Sequence, residues 1–263
     1  MVRRSILALT FITVVTKVFG AAVPIKKQFD YGSPSNVPNE VPGSQTYAVQ
    51  NEYAMAKNVT CGAIQADFSN PNALSLFNVE WCPQNAVVVG GQLELSLTSA
   101  CGTTISYPQS MRTGKVEITL KIAPGSGVVT AIVLAGPAPS DEIDIEMVGK
   151  DLTTFQSMYF VRAQRVDQQA QFHTSPNPSA ANLSTNYHKY GVELLDNAVN
   201  WYIDDVLVRT LSKTSDYSFP SNANLFRFGL WDGSNTSGWA GIVDWSAGPI
   251  KAYVKSISIS PYC

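Results

Sequence analysis

The feature that most constrains how this chain can fold is a long succession of short runs rich in β-branched and aromatic residues. Most runs are bounded by Gly, Pro, Asn or Asp, and no amphipathic stretch is long enough to favour a helix. The pattern predicts an all-β sandwich or barrel, with hairpin turns at Gly90-Gly91 and Asp204-Asp205. The predicted strands lie in NAVVVGGQLELSLT, GKVEITLKI, GVVTAIVLA, DEIDIEMV, FQSMYFVRA, KYGVELLD, AVNWYIDDVLVRTL, NLFRFGLWD and IKAYVKSISIS.

The four cysteines suit an oxidising compartment. Folding about the Gly90-Gly91 turn brings Cys82 and Cys101 nearly opposite each other, which predicts a disulfide between them. Cys61 and Cys263 would then pair by elimination and join the two ends of the domain.

The N-terminal segment differs in composition from the β-rich body. Residues 1–20 combine Arg3 and Arg4 with an apolar run that ends in small residues, which predicts a secretory signal peptide. The alternative, a membrane anchor, is disfavoured because the run of about a dozen residues is shorter than the roughly 20 that a span needs. Residues 21–57 are predicted to be a flexible leader, and residues 58–263 a single domain.

Composition narrows the classes of partner. Only 14% of the residues are charged, the net charge is −2, and no basic patch is present, so we expect no nucleic-acid partner. With two histidines and no CxxC motif, we expect no metal site and no cofactor. The sequence is interpreted as a secreted monomer that acts outside the cell, with no membrane segment after signal removal. Asparagines Asn58, Asn182 and Asn235 begin N-glycosylation motifs.

Three carboxylates alternate with apolar residues in SDEIDIEMVG. Residues two apart in a strand share a face, so Glu142, Asp144 and Glu146 should project together while the intervening residues enter a core. A solvated strand face usually mixes in Lys, Thr or Ser, and this one does not. Three acids on one face repel one another and cannot all be ionised without help.

Glycoside hydrolysis is a chemistry that uses such a pair of carboxyl groups. A retaining glycosidase needs a nucleophile and a general acid about 5–5.5 Å apart. The Cα atoms of Glu142 and Glu146 would be about 13 Å apart on a flat strand, so the side chains must lean together over a twisted sheet. The alternatives from the residues alone are a solvated strand face and an oxygen-ligand cation site.

The stretch DEIDIEMVGKD resembles the active-site strand of glycoside hydrolase family 16, in the branch with the ExDxE pattern. That branch includes lichenases, xyloglucan endotransglycosylases and fungal Crh-type cell-wall transglycosylases. Asp204-Asp205 stands where the family often has Asp-Gly, a change expected to be only a turn variant. Further stretches similar to the family, from about Cys61 to Tyr262, are FNVEWCPQNAVVVGGQLELSLTS, RTGKVEITLKIAPGSGVVTAIVLAGP, YHKYGVELLDNAVNWYIDDVLVRT, FRFGLWDG and AYVKSISI.

The resemblance implies a curved jelly-roll β-sandwich of the concanavalin A-like type, with an open cleft on its concave face. It also implies a double-displacement mechanism with Glu142 as nucleophile, Asp144 as assisting acid and Glu146 as general acid/base. Ser140 stands where many relatives have an aromatic, and Met147 replaces a common Phe or Trp. These departures imply altered glucan subsites, so the resemblance leaves the polymer open.

Sugar rings stack on aromatic faces, which makes exposed aromatic residues near the acids candidates for substrate binding. Trp201 matches the family position whose ring lies beside the cleft. Trp231 and Trp239 lie in or near a loop-rich stretch suited to subsite walls, and Arg112 and Tyr159 are expected on strands that flank the acids. For each, the alternative is a core or rim aromatic, or a surface charge.

Three functions compete at this stage. The first is a secreted or cell-wall-associated retaining hydrolase or transglycosylase acting on β-glucan or a chitin/glucan wall polysaccharide. The second is a non-catalytic, lectin-like module, which would keep the tryptophans but has no need of Glu142 and Glu146 together. The third is a structural wall protein, which predicts repeats or Ser/Thr-rich stalks that this sequence lacks. Whether the acceptor is water or a sugar stays open.

Overall fold

Two antiparallel β-sheets packed face to face dominate residues 62–165 and 169–263, the parts of the chain described by the computed structural model. The strands are β1 Ile64–Asp67, β2 Asn78–Trp81, β3 Ala86–Val89, β4 Gln92–Leu97, β5 Thr103–Ser106, β6 Gly114–Lys121, β7 Val128–Ala135, β8 Glu142–Val148, β9 Thr154–Val161, β10 Gln164–Arg165, β11 Gln171–Thr174, β12 His188–Leu194, β13 Ala198–Ile203, β14 Val206–Ser212, β15 Leu225–Asp232 and β16 Ile250–Pro261. Short 3₁₀ helices span Ala73–Leu76, Pro83–Asn85, Pro178–Ala180 and Trp245–Ala247.

The two sheets are named here by the side on which the acids lie. The front sheet has the strand order β10-β9-β8-β7-β15-β5-β2, and β11 also pairs with β9. The back sheet has the order β14-β13-β12-β6-β16-β4-β3, and β1 also pairs with β16. The predicted all-β sandwich is confirmed. Strands β8 and β6 lie well inside their respective sheets.

Both predicted hairpins form with backbone angles in the left-handed region. Gly90 and Gly91 have φ values of 61° and 75°, which glycine adopts without steric cost. Asp204 and Asp205 adopt φ values of 49° and 67° despite their side chains. The carboxylate of Asp204 also binds strand β12. It lies 2.8 Å from Nδ1 of the buried His188 and accepts a hydrogen bond from the backbone N–H of Lys189.

The core lies between the inner faces of the sheets, because alternate residues of each strand point inward. Ile143, Ile145 and Met147 of β8 are fully buried in it, as is Ile118 of β6. Complete burial of such a side chain stabilises a fold by about 1.5–3 kcal/mol. The alternation that was predicted from sequence therefore fixes which side of β8 faces the core.

The Cys82–Cys101 disulfide predicted from the first hairpin is present, with Cα atoms 6.5 Å apart. Cys263 is also disulfide-bonded, and its expected partner Cys61 lies outside the described residues. The predicted signal peptide, the leader and Asn58 lie outside them as well. No helix in the described ranges has the length and apolar character to cross a membrane.

Candidate active site

The three acids project from β8 onto the outer face of the front sheet. Their alternation partners Ile143 and Ile145 enter the core, so Glu142, Asp144 and Glu146 share the opposite face. Glu142 is half-buried, and the other two carboxylates are buried. The structure thus brings together the three side chains that the sequence predicted to act as a unit.

The strand register identifies the residues that surround each acid. On the β7 side the neighbours are small or short, whereas on the β9 side they are longer and include an aromatic ring and an amide. Glu142 lies between Ala135 and Phe160, Asp144 between Val133 and Met158, and Glu146 between Ala131 and Gln156. Phe160, Met158 and Gln156 were not candidates from sequence, although they share a face with the acids.

A glycine keeps the surface low on the side of Glu146 away from Gln156. Gly229 of β15 pairs with Ala131, which pairs with Glu146. A Cβ atom at Gly229 would lie 2.0 Å from the carbonyl oxygen of Thr103, so a larger residue does not fit there. No side chain therefore rises from position 229 beside Ala131.

A pocket of about 330 Å³ opens at Glu146. Trp239 forms one wall, where its ring is stacked on Trp231 with centroids 6.1 Å apart and its Nε1 donates to Oε1 of Gln156 at 3.0 Å. Phe172 of β11, which is 64% exposed, lies on another side. The remaining lining residues are Val148, Lys150, Asp151 and Thr154.

Asp151 gives this pocket a carboxylate that is held by hydrogen bonds. The pKa of Asp151 lies below its ordinary value because the Thr154 hydroxyl and groups of Thr153 donate to the carboxylate, which outweighs the opposing effect of burial. Lys150 donates to the carbonyl of Gly238 at 2.9 Å and so ties the β8–β9 loop to the loop that carries Trp239. The pocket therefore combines an aromatic wall with polar groups, as small-molecule sites commonly do.

The opposite end of the acid strand is held by a buried carboxylate. Asp141, directly before Glu142, accepts the backbone N–H of Arg162 at 2.8 Å and that of Asn222 at 2.9 Å. The turn at Arg162 and Ala163 has φ values of 50° and 60°, which non-glycine residues rarely adopt. Asp141 thus fastens two loops to the start of β8, where the predicted nucleophile lies.

The sequence of this chain matches the profile of a known protein family. The profile described as "Glycosyl hydrolases family 16" covers residues 74–247, more than half of the chain, including all of β8. The chain belongs to this family.

Curated relatives of this family 16 chain include fungal Crh-like proteins. It is 34% identical to Crh-like protein 5 of Aspergillus fumigatus over 215 residues, which cover 77% of this chain and 52% of that protein. It is 35% identical to Crh-like protein UTR2 of Candida albicans over 157 residues, covering 57% and 32% of the two chains. The chain therefore spans about a third to a half of the length of these relatives.

Solved structures agree with the fold. A structure titled "Crh5 transglycosylase in complex with NAG" superposes with a TM-score of 0.69 and 29% identity, covering 78% of this chain and 86% of that chain. The Bacillus licheniformis β-glucanase has a TM-score of 0.66 over 77% of this chain and 100% of its own, but at 24% identity it supports the fold alone. The expected jelly-roll sandwich is thereby confirmed.

The prediction that Trp201 and Tyr159 of this family 16 chain bind substrate is wrong. Trp201 and Tyr159 are 0% and 3% exposed and lie in the core between the sheets. Tyr159 pairs with Ile143, so it shares the inner face of the front sheet. Trp201 shares a strand face with the buried Val199 and Ile203, an alternation that was visible in the sequence. Neither ring is available for stacking on a sugar.

The other three substrate candidates have different outcomes. Arg112 lies in the loop before β6, so its expected position on a strand beside the acids is wrong. Its exposed side chain pairs with Asp196 at 2.6 Å, and its contact with substrate stays a prediction. Trp231 lies on the outer face of the front sheet but is 1% exposed, so it supports Trp239 instead of presenting its own face. Trp239 is partly exposed and lines the pocket at Glu146.

The described residues include two of the three predicted glycosylation sites. Within the described ranges, no group of three or more His, Cys, Asp or Glu side chains is arranged to hold a metal ion. Asn235 is exposed, whereas Asn182 is half-buried and its Oδ1 accepts hydrogen bonds from Ser184. N-glycosylation at these asparagines stays a prediction.

Proposed function

We propose that this chain is a retaining family 16 glycosidase or transglycosylase that acts on β-linked cell-wall glucan. The observation that carries the proposal is the set of three carboxylates on the outer face of β8, with a sugar-sized pocket at one end of the set. The relatives support it, since one solved structure with 29% identity is titled a transglycosylase.

In the first step, the carboxylic acid of Glu146 protonates the glycosidic oxygen while the carboxylate of Glu142 attacks the anomeric carbon. The C–O bond to the leaving sugar breaks, and a glycosyl ester forms at Glu142. Asp144 lies between the two on the strand and is the assisting acid that the family resemblance implies. In the second step, Glu146, now ionised, takes the proton of the acceptor hydroxyl, which attacks the anomeric carbon and releases Glu142.

The pocket at Glu146 bears on which acceptor is used. The group that protonates the leaving oxygen also deprotonates the acceptor, so the acceptor binds on the Glu146 side. Trp239 supplies an aromatic face there, and Gln156, Asp151 and Lys150 supply polar groups. Such a site can hold a sugar in place of water, which supports transfer over hydrolysis. Transfer requires only that an acceptor sugar outcompete water for the ester at Glu142.

The test is to incubate the protein with labelled β-glucan and chitin oligosaccharides, with and without unlabelled acceptor, and to resolve the products by length. Elongated products in the presence of acceptor support a transglycosylase, and shortened products alone support a hydrolase. Both kinds of product should vanish with Glu142→Gln and with Glu146→Gln. Unchanged oligosaccharides that nevertheless bind all three proteins would instead identify a lectin.

We also propose the domain organisation and location that the sequence predicts. Residues 1–20 direct export, 21–57 form a leader, and 58–263 form the catalytic domain, which works as a monomer at the cell wall. Cell-wall association is consistent with the Crh-like relatives. N-terminal sequencing and the mass of the secreted protein before and after enzymatic removal of N-glycans test signal cleavage and the sequons, and sedimentation tests the monomer. An uncleaved N-terminus or an unchanged mass would contradict the corresponding prediction.

A further inference from the structure

Arg209 is a buried cation that the proposed mechanism does not use. Within the described ranges it is the one arginine in the interior, with 6% of its surface exposed. No carboxylate among the described residues forms an ion pair with it. Burying a charge without a nearby counter-charge is costly, so the position calls for a physical explanation.

An irregularity in strand pairing directs Arg209 inward. Tyr202 of β13 pairs with Leu207 of β14, but the preceding residue, Trp201, pairs with Arg209. Val208 is therefore an extra residue in β14. In a regular ladder Trp201 would face Val208, and Arg209 would point outward to solvent. The β-bulge therefore places the guanidinium between the sheets, a device that re-aims side chains near active sites.

The guanidinium of Arg209 contacts the inner face of the front sheet. Its Nη1 donates to the carbonyl oxygen and to the Oγ of Ser157, each at 2.9 Å. The guanidinium carbon, Cζ, lies 4.5 Å from the ring centroid of Trp201 and 5.6 Å from that of Tyr159. A planar guanidinium that donates and stacks at the same time is held in one orientation.

These contacts reach the middle of the acid strand from behind. Trp201 donates from Nε1 to the backbone carbonyl of Asp144 at 3.2 Å. Ser157 pairs with Ile145, the residue between Asp144 and Glu146. Arg209 is thus linked to β8 through one stacked ring and through one neighbouring strand, on the side opposite the carboxylates.

The other titratable groups around Arg209 do not balance its charge. Burial raises the pKa of the Tyr159 phenol, and Arg209 opposes that shift. Burial lowers the pKa of His173, whose Nε2 lies 2.8 Å from Ser157 Oγ, and Arg209 lowers it further. Both groups are therefore neutral near pH 7. The acids of β8 lie on the other face of the sheet that Arg209 contacts, and Arg227 of β15 shares that outer face with them. Attraction through a poorly polarisable core is only weakly screened.

We propose that Arg209 is a positioning residue that holds β8 from behind and whose charge offsets the repulsion among Glu142, Asp144 and Glu146. The catalytic part of this proposal rests on the proposed function, because it assigns the attacking carboxylate to Glu142.

The first experiment separates charge from shape. Arg209→Lys keeps the charge, whereas Arg209→Gln keeps a donor toward Ser157 without the charge. We expect the acidic limb of the kcat/KM–pH profile to move up by about one pH unit in Arg209→Gln and by much less in Arg209→Lys. Lys251→Gln, which removes a positive charge from a surface pair with Glu94 on the back sheet, should match the wild type. An unmoved limb in Arg209→Gln, or an equal shift in Arg209→Lys, would overturn the proposal.

The second experiment does not depend on activity. Urea denaturation is measured for the wild type, Arg209→Gln, Asp144→Asn and the double variant. If the charges are coupled, Arg209→Gln should change the unfolding equilibrium constant about ten-fold less when Asp144 is already neutral. Effects that simply add would overturn the proposal.

The cycle also covers the case in which Arg209→Gln does not fold. A double variant that folds when the single variant does not would support the coupling, and a double variant that is equally unfolded would count against it. A wild type that shows no activity but retains the coupling would contradict the proposed function alone, because the cycle tests only the interaction between Arg209 and the acids.

Discussion

Strands β6 and β8 show the same alternation of apolar and polar residues in two different sheets, and they use it for different ends. On the outer face of β6, Lys115, Glu117, Thr119 and Lys121 mix both signs of charge, and Lys115 pairs with Glu117 at 2.9 Å. Glu117 also lies 3.6 Å from Lys189 of β12. The outer face of β8 carries three acids and no base.

The two strands differ in the charges of their outer faces and not in their hydrophobic alternation. The alternation therefore predicts the fold, whereas the sign of the charges on the outer face indicates the function. Ile118 of β6 and Ile145 of β8 are both fully buried, so the inner faces contribute in the same way to the core. The outer face of β6 neutralises itself with neighbouring pairs. The outer face of β8 has no base on the strand itself, and Arg209 contacts the same sheet from its inner face.

The largest effect should come from removing one acid of β8. With an oligosaccharide substrate, Glu146→Gln should lower kcat by about 10²–10⁴-fold, because the leaving oxygen loses its proton donor. An aryl glycoside with a good leaving group should regain its first step in Glu146→Gln, seen as a burst of phenol, but should gain nothing in Glu142→Gln.

The matched control for this prediction is Glu117→Gln on β6, which should stay within about two-fold of the wild type since a solvated face is usually tolerant. An equal loss in Glu117→Gln, or a burst with Glu142→Gln, would show that the two outer faces do not differ as proposed.

The inner faces, in contrast, should respond alike. Ile145→Ala and Ile118→Ala each remove buried methyl groups from the same core and should each lower the free energy of unfolding by about 2–5 kcal/mol. Urea denaturation measures both. A loss several-fold larger for Ile145 would mean that β8 bears a structural load that β6 does not, and the comparison of the strands would need revision.

The sequence was sufficient to predict most of the fold because period-two alternation and turn chemistry are local properties. Both hairpins, the Cys82–Cys101 bridge and the facing of the β8 acids follow from spacing alone. Short strands such as Ile64–Asp67 and Gln164–Arg165 were missed, since four or two residues carry too little periodicity.

The candidate site was predicted less completely because it depends on register between strands. In FQSMYF both faces carry large residues, so alternation could not tell that Tyr159 faces the core while Phe160 lies beside Glu142. Arg209 could not be found at all, since its inward direction results from one extra residue in β14. For Trp201 the alternation with Val199 predicts a core position whereas the family resemblance predicts a cleft position, and the structure agrees with the alternation.

A smaller effect is expected from the aromatic wall of the pocket. Trp239→Ala should raise the KM for the acceptor sugar about ten-fold and leave cleavage of the donor nearly unchanged, because a stacked ring contributes about 0.5–1.5 kcal/mol beyond its burial. Initial transfer rates at varied acceptor concentration give this value. Tyr253→Ala, which removes a ring from the outer face of the back sheet, should leave both unchanged. A loss confined to donor cleavage would place Trp239 on the other side of the scissile bond.

The smallest effect should lie on the outer face of the back sheet, where one acid is stabilised by neighbours instead of being set among other acids. Glu193 of β12 accepts hydrogen bonds from the phenols of Tyr262 and Tyr202 at 2.6 Å and 2.8 Å and from Asn200 at 2.9 Å. Burial by itself would raise its pKa, but these donors and Lys115 bring the pKa below its ordinary value of 4.5.

The depressed pKa of Glu193 fixes the sign of its pH dependence. Its stabilisation is fully present above the unfolded-state pKa and is lost as the pH falls through the lower folded-state pKa. Glu193→Gln should therefore lower stability at pH 7 by less than about 1 kcal/mol, since the group is only half-buried and solvent screens its charge, and the difference from the wild type should shrink at acid pH. Tyr262→Phe, which removes one donor, should show part of this effect in urea denaturation at pH 7 and pH 3.5. A difference that is equal at both pH values would mean that Glu193 stabilises the sheet by packing and not by its charge.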